Sequence, residues 1–191
     1  MTNSAQITDN DLIRKVIEGD THAFKLLVQR HKDVSLSLAF SILKDRSVAQ
    51  DVLQEVFIKV FHKLETFRFK SAFSTWLYRI VVNTSYNELK RHRGTTSMHE
   101  YATESLSPIV EERDLLKEKD QKHFINLALL RLRADEALVL RLFYLCELSI
   151  KEIAEITKFK PPKIKVDLHR GRENLNFQLR QLLGEDIKHL L

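Results

Sequence analysis

The sequence predicts an all-α protein made of two small helical domains joined by a flexible linker. Apolar residues recur at helical spacing over most of the 191 residues, a length that allows one domain or two small ones. Only four glycines and three prolines occur, and all three prolines lie after residue 107. Turn-rich β folds need many more of both, so the composition favours helices.

Charge and cysteine content narrow the class of protein. The net charge of +5 and the pI near 9.3 are compatible with nucleic-acid binding. Cys146 is the single cysteine, which excludes an internal disulfide and a cysteine-rich zinc site, and its apolar neighbours favour a buried structural thiol over a catalytic one. The polar N-terminus is unlike a signal peptide, and no run of about 18 apolar residues could span a membrane. We therefore expect a cytoplasmic protein.

The first predicted domain, residues 9–94, contains four helices. An apolar stripe at helical spacing is interrupted at Gly19, and a second stripe follows. The third helix is predicted to begin at Ser47, where Gln50 completes an S-x-x-Q capping box. Residues 66–73 break the pattern and are predicted to form a loop. The fourth helix then runs to its expected stop at Gly94.

Residues 95–119 are sparse in apolar side chains and contain an acidic cluster, so they are predicted to form the mobile linker. The second domain, residues 120–186, regains the helical pattern. Ser149 and Glu152 form another capping box, and Pro161 and Pro162 fit the first turn of the next helix. Two helices joined by a short turn, the second of them basic, are typical of a helix-turn-helix.

Four segments, taken in order, resemble the extracytoplasmic-function (ECF) class of RNA polymerase sigma factors in the sigma-70 family. They are DVLQEVF at 51–57, FSTWLYRI at 73–80, LSIKEIAEI at 148–156 and LHRGR at 168–172. The resemblance covers roughly residues 9–93 and 120–183. It implies a first domain (sigma region 2) that binds core polymerase and melts the −10 promoter element, and a second domain (sigma region 4) that recognises the −35 element.

The resemblance places the polymerase-binding residues on the third helix. Asp51, Gln54 and Glu55 share one helix face by their spacing, and Phe61 follows them. In the family this face binds a coiled coil of the largest polymerase subunit, where acidic and amide groups can pair with basic side chains. An ordinary solvated face is the alternative interpretation of the same residues.

The loop at 66–73 and the fourth helix are expected to bind the −10 element. Aromatic and basic residues alternate in the loop, and single-stranded DNA is bound by stacking on rings and by cations along the phosphates. Phe67 and Phe73 could equally be buried core, and Trp76 fits the core better than a stacking role. The expected −10 residues are Phe67, Arg68, Lys70, Trp76, Arg79, Asn83, Asn87 and Lys90. The basic end of the helix could also serve only to offset the helix dipole.

The last predicted helix is expected to bind the −35 duplex. Its candidate residues are Lys160, Lys163, Lys165, Val166, His169, Arg170 and Arg172. Phosphate contacts would position the helix while groove-facing residues read sequence. The sequence departs from the family pattern here: Val166 and Asp167 replace the commoner Ser-Arg pair, two prolines stand in the turn, and Gly171 replaces the usual Ala. The −35 sequence therefore cannot be inferred from the family.

No cofactor, metal cluster or catalytic constellation is suggested by the spacing of the residues, so an enzyme is disfavoured. The expected partners are core RNA polymerase, promoter DNA and an anti-sigma factor. Two other hypotheses remain. A plain helix-turn-helix transcription factor would leave residues 47–93 unexplained, and an interaction protein with a degenerate second domain is supported only by the altered recognition helix.

Overall fold

The structure is a computed structural model that describes residues 7–95 and 116–183. The described residues form helices and contain no strand, as predicted. The eight α-helices are α1 Asp9–Ile17, α2 Thr21–Leu43, α3 Arg46–Lys63, α4 Phe73–Thr95, α5 Leu116–Arg131, α6 Ala134–Leu140, α7 Ile150–Thr157 and α8 Pro161–Leu183. A 3₁₀ turn at Leu64–Thr66 follows α3, and a π-helical turn at Arg141–Leu145 follows α6. No described helix is long and apolar enough to cross a membrane.

Helices α1 to α4 occupy the predicted first domain. The long helix α2 packs against α1, α3 and α4, and their apolar side chains form the core between them. Gly19 has a φ of +101°, which lets the chain turn sharply from α1 into α2 as the sequence predicts. Helix α4 runs to Thr95, one residue past the expected stop at Gly94.

Helices α5 to α8 occupy the predicted second domain, in which α8 packs against α5, α6 and α7. Most of the predicted linker, residues 96–115, lies outside the described residues. Helix α5 begins at Leu116, so four residues that the sequence assigned to the linker are helical. The domain boundaries at 94, 119 and 186 stay a prediction.

The helix starts differ in how well the sequence predicts them. The capping box of Ser149 and Glu152 is present, with the Ser149 hydroxyl accepting from the Glu152 amide at 3.3 Å. Helix α8 begins at Pro161, also as predicted. The predicted start of α3 at Ser47 is wrong, because the carboxylate of Asp45 accepts from the Val48 amide at 2.9 Å and the helix begins at Arg46. An aspartate two residues upstream caps the helix first.

The role of Asp45 as the N-cap of α3 can be tested by substitution, with Ser47 as a matched control. Asp45→Ala removes the cap and should lower the free energy of unfolding by about 1 kcal/mol. Ser47→Ala, on an exposed residue inside the first turn, should change it by less than about 0.5 kcal/mol. Urea unfolding followed by circular dichroism measures both. A larger loss in Ser47→Ala than in Asp45→Ala would contradict the observed cap.

Candidate nucleic-acid and protein interfaces

The first candidate surface is the α3 face, which we define as Asp51, Gln54, Glu55, Ile58 and Phe61. All five residues are exposed on α3. The opposite side of the helix buries Val52, Val56 and Val60 in the core, so the helix presents this face outward. The sequence analysis identified four of the five residues and missed Ile58.

Ile58 extends the α3 face with an apolar side chain that is 60% exposed. It lies seven residues after Asp51, two helical turns along the same face, which is the signal that could have identified it. Phe61 is 41% exposed, and its ring packs edge-on against Phe24 with 5.0 Å between the centroids. The α3 face therefore combines carboxylates with an apolar end, a combination suited to a protein partner.

The second candidate surface is the aromatic loop, residues 67–72 between the 3₁₀ turn and α4. Phe67 is only 5% exposed, so the structure places this predicted stacking residue in the core. Its ring lies 4.9 Å from that of Phe69 and 5.4 Å from that of Trp76. Phe69 is 40% exposed and has a φ of +56°, the left-handed region that few non-glycine residues adopt.

Phe67 thus takes the buried alternative that the sequence left open, and Phe69 has the exposed ring of this loop. Arg68 and Lys70 flank Phe69 and are exposed, and the Arg14 guanidinium lies 5.7 Å from the centre of the Phe69 ring. Trp76 is half-buried against Phe67 and Phe73, in keeping with the core role that the sequence favoured for it. The loop thus presents one aromatic ring among cations.

The third candidate surface is the α4 face, defined here as Arg79, Asn83, Tyr86, Asn87 and Lys90. Asn83, Asn87 and Lys90 are exposed. Arg79 and Tyr86 are only half-exposed because the second domain packs beside them. The structure therefore brings the predicted α4 residues onto one side of the helix, as their spacing requires, but covers one edge of that side.

Helices α7 and α8 form the helix-turn-helix. Lys158 adopts a left-handed conformation with a φ of +63°, and its amide donates to the carbonyl of Ala154 at 2.9 Å. The Thr157 hydroxyl accepts from the Phe159 amide at 3.1 Å and donates to the Ile153 carbonyl at 2.7 Å. These bonds close α7 and aim the chain into α8 without the glycine that commonly fills such a turn.

The α8 face, defined as Lys165, Val166, His169 and Arg170, is exposed along the first half of α8. Its opposite side buries Ile164 and Leu168. Gly171 is also buried, and a Cβ there would lie 3.1 Å from Cδ1 of Leu140. The close approach of α8 to α6 accounts for a glycine inside this helix.

The other predicted α8 residues are placed differently. Lys160 is exposed in the turn, and Arg172 donates to the Tyr144 hydroxyl at 3.2 Å. Lys163 donates to Asp135 at 2.7 Å and also pairs with Asp167, so it is not part of the open α8 face. Asp167, one of the residues that depart from the family pattern, is thus paired with a lysine one turn earlier on its own helix.

Sequence reasoning did not predict that the two domains pack against each other. Helix α6 packs on α2, α7 packs on α4, and the buried side chains of both domains form one continuous cluster. The buried Arg141 donates to the hydroxyl of Ser37 at 2.7 Å and to the side-chain oxygen of Asn126 at 3.1 Å. Burial lowers the pKa of Arg141, whose guanidinium donates here to neutral oxygens.

Lys44, at the end of α2, reaches the end of α5. Its ammonium donates to the carbonyl oxygens of Leu129 and Leu130 at 3.3 and 3.1 Å, where a cation stabilises a helix C-terminus. Loss of water around the ammonium, together with the nearby Arg141, lowers the pKa of Lys44 to about 8, although the residue as a whole remains exposed.

Asp135 joins the α4 face to α8. One of its oxygens accepts from the Tyr86 hydroxyl at 2.7 Å, and the other accepts from the Lys163 ammonium at 2.7 Å. Burial alone would raise the pKa of Asp135, but these two hydrogen bonds hold it below its ordinary value. Burial, reinforced by the Asp135 carboxylate, raises the pKa of Tyr86.

Comparison with known proteins identifies the family. Sequence models of Sigma-70 region 2 and Sigma-70 region 4 match residues 27–95 and 125–175. The chain is 31% identical over 180 residues to the ECF RNA polymerase sigma factor SigW of Bacillus subtilis, covering 89% of this chain and 96% of that one. It is 33% identical over 189 residues to the ECF sigma-E factor of Escherichia coli, covering 94% and 98%. The chain therefore belongs to the ECF sigma factors, which take part in transcription initiation.

Two solved structures share the fold. CnrH, solved in complex with the cytosolic domain of CnrY, matches with a TM-score of 0.61 and 22% identity, covering 91% of this chain and 97% of that one. The sigma factor RpoE of Bartonella quintana, solved with the anti-sigma factor NepR, matches with a TM-score of 0.60 and 21% identity, covering 82% and 96%. These likenesses support the helical architecture described above.

The different burial of two loop phenylalanines can be tested by substitution. Phe67→Ala should lower the free energy of unfolding by about 3–5 kcal/mol, because it empties a position between buried rings. Phe69→Ala, on the exposed ring, should cost less than about 1 kcal/mol. Urea unfolding of the full chain compares the two. Equal losses would contradict the placement of Phe67 in the core and Phe69 at the surface.

Proposed function

We propose that the protein binds core RNA polymerase through the α3 face, melts and holds the −10 element with the aromatic loop and the α4 face, and reads the −35 element with the α8 face. The observation that carries this proposal is the presence of four distinct exposed surfaces with different chemistry: the α3 face, the aromatic loop, the α4 face and the α8 face. They follow the order of the family's regions along the chain. The α3, α4 and α8 faces each lie on a helix whose other side is in the core.

The α3 face suits a protein partner with basic and apolar side chains. Asp51, Gln54 and Glu55 supply acceptors at neighbouring positions, and Ile58 and Phe61 supply apolar area at the end of the same face. Glu55 also pairs with Lys59, so polymerase binding would exchange a surface ion pair for an intermolecular one. Exposed pairs of this kind contribute little to stability, so the exchange costs little.

The aromatic loop suits unpaired bases. We assign base stacking to Phe69 and phosphate contacts to Arg68 and Lys70, because the three residues are adjacent and exposed. Phe67 and Trp76 would support the loop from below. Extruding a base costs a few kcal/mol, which a stacking ring and nearby cations would recover.

The α4 and α8 faces suit DNA in two forms. Asn83 and Asn87 would bond the edges of unstacked bases, with Arg79 and Lys90 on the backbone. Lys165 and Arg170 would contact the −35 duplex, and the exposed Val166 would contact a thymine methyl group. Lys163 forms an ion pair with Asp167 and offsets its negative charge. The Asp167 carboxylate would therefore repel the DNA phosphates less than an unpaired one.

The protein would act in the cytoplasm with core RNA polymerase and promoter DNA, and an anti-sigma factor would hold it inactive. It would act through binding energy alone, and RNA synthesis would remain with the polymerase. The plain transcription-factor hypothesis does not explain the exposed α3 face, because its carboxylates would repel DNA phosphates and its apolar residues would be left without a partner.

Run-off transcription tests the proposal directly. Purified core polymerase and this protein are incubated with a library of randomised promoters, and the transcripts are sequenced. Specific transcripts with enriched −35 and −10 sequences are expected. Core binding without transcripts would contradict the promoter-reading part of the proposal, and the absence of core binding would contradict it entirely.

The α3 face yields a prediction for polymerase binding. The double variant Asp51→Lys and Glu55→Lys should weaken binding to core polymerase at least tenfold, because two acceptors become cations facing a basic partner. Fluorescence anisotropy of the labelled chain measures the affinity. The control reverses two exposed acids elsewhere, Glu18→Lys and Asp33→Lys, and should bind as the wild type does. Equal binding by both double variants would show that the α3 face is only solvated.

The α8 face yields a prediction for duplex binding. Lys165→Ala should lower the slope of log affinity against log salt by about 0.9 if it contacts one phosphate. Arg170→Ala should either do the same or, if it reads a base, cost about 1–3 kcal/mol on the preferred sequence only. Titrations of −35 duplexes at several salt concentrations distinguish these effects. Lys25→Ala, an exposed cation in the first domain, controls for net charge. Unchanged slope and unchanged sequence preference would mean that α8 does not bind DNA through this face.

A further inference from the structure

Contacts of its ring hold Phe69 in its left-handed conformation. Among the residues that the structure describes, no backbone amide from 68 to 71 donates a hydrogen bond that would fix the loop. The Phe69 ring instead packs edge-on against Phe67, with 4.9 Å between the centroids, and the Arg14 guanidinium lies over it, 5.7 Å from its centre. A φ of +56° is strained for phenylalanine. Strain kept at an exposed ring, which adds little to the core, indicates a ring that is placed for a ligand.

The first turn of α1 directs Arg14 toward the aromatic loop. The Arg14 guanidinium lies 3.6 Å from one oxygen of the Asp11 carboxylate. The other oxygen accepts from the Thr8 hydroxyl at 2.6 Å and from the Thr8 amide at 3.2 Å, in the capping box that begins α1. The Arg14 side chain is 66% exposed, and an exposed ion pair of this length is weak. Arg14 is therefore aimed at the loop but can still move by an ångström or two.

The distance between the Arg14 guanidinium and the Phe69 ring is close to the distance that a base between them would need. Two planar groups in contact lie about 3.5 Å apart, so a base stacked on both sides would separate the guanidinium from the ring by about 7 Å. The observed 5.7 Å is shorter than this, and a movement of roughly 1 Å by the exposed arginine supplies most of the difference. Unpaired bases stack both on aromatic rings and on the plane of an arginine guanidinium.

We propose that Arg14 and Phe69 form a clamp that holds one unpaired base between the guanidinium and the aromatic ring. The inference rests on the proposed function, because it deepens the stacking role of Phe69 in binding the −10 element. In the free protein Arg14 covers the face of the ring, and an entering base moves the guanidinium onto its own outer face. The clamp adds α1 to the DNA-binding site, although Arg14 lies before residues 27–95, which the Sigma-70 region 2 model matches.

The cations beside the clamp suit the phosphates on either side of the held base. Arg68 and Lys70 adjoin Phe69 and are exposed. Arg30, on the neighbouring helix α2, is engaged instead by the Asp9 carboxylate and by the Ile7 carbonyl at 3.0 Å. The division of roles is then that the clamp binds the base while the loop cations bind the backbone.

A clamp is distinguishable from a role in which Arg14 only holds Phe69 in place. Any cation over the ring would supply the holding contact, because the attraction is between a positive charge and the ring face. A clamp needs a planar group, since a guanidinium stacks on a base whereas an ammonium is a compact point charge. Arg14→Lys keeps the charge and removes the plane, so it separates the two roles.

The test measures how strongly the full chain prefers a DNA strand with bases to the same strand without them. Two fluorescent probes of about 12 nucleotides are titrated at low salt: oligothymidylate, and an abasic strand with the same number of phosphates. The variants are Arg14→Gln, Arg14→Lys and Phe69→Leu, which keeps an apolar side chain but removes the planar ring. The matched control is Lys15→Gln, which removes an equal charge from the neighbouring exposed residue of α1. Circular dichroism and urea unfolding check that each variant is folded.

The wild type should bind oligothymidylate at least tenfold more tightly than the abasic strand. Arg14→Gln, Arg14→Lys and Phe69→Leu should each reduce this preference at least threefold, whereas Lys15→Gln should weaken both probes equally and leave the preference unchanged. A wild-type preference retained by Arg14→Lys would overturn the clamp, because a cation alone would then suffice. An unchanged preference in Arg14→Gln, or no preference in the wild type, would also overturn it.

Failure of the clamp is distinguishable from failure of the proposed function, because the two probes need neither polymerase nor a promoter. A preference that is lost in Phe69→Leu but kept in Arg14→Gln would overturn the clamp and leave base stacking by the loop intact. A preference that behaves as predicted, with no specific transcripts in the run-off experiment, would support the clamp and contradict the proposed function alone.

Discussion

Burial of the second half of α2 on more than one side is the constraint on which the arrangement of the helices depends. Ser41, Ile42 and Leu43 are buried in succession, which a helix with one solvated face does not allow. Helices α1, α3 and α4 cover part of this surface, and α6 of the second domain covers the rest. The first domain thus leaves an apolar surface that the second domain fills, and the two share one continuous core. That docking orients the α4 and α8 faces, which we propose bind DNA.

Polar groups set the strength of the docking. The buried Nε atoms of Arg79 and Arg141 cost about 1–3 kcal/mol each, and the buried charge of Arg141 adds to that cost. Against this stand the hydrogen bonds of Asp135 and the apolar contacts of α2. An interface that balances terms of this size can be opened by a partner with modest binding energy, because a change of 1.4 kcal/mol shifts a two-state equilibrium tenfold.

The local pattern predicted much of the fold. Apolar spacing identified the helices, and the Ser149 capping box and Pro161 gave the starts of α7 and α8, because caps and first-turn prolines act within a few residues. The misplaced start of α3 shows that two adjacent capping candidates compete, and sequence alone did not rank Asp45 above Ser47. Burial of Phe67 and exposure of Phe69 also depend on tertiary packing, since both residues are apolar. The hydrogen bonds of Asp135 link Tyr86 to Lys163, 77 positions further along the chain, and the local sequence pattern carries no signal of that contact.

The measurement that tests the central claim most directly is the distance between the domains in the free chain and in the promoter complex. Spin labels at Ser47→Cys on α3 and Gln181→Cys on α8, in a Cys146→Ala background, allow that distance to be read by double electron–electron resonance. The account predicts one narrow distribution in the free chain, and a shift to longer distances when core polymerase and promoter DNA are bound. A broad distribution in the free chain, or the same narrow distribution in the transcribing complex, would contradict it.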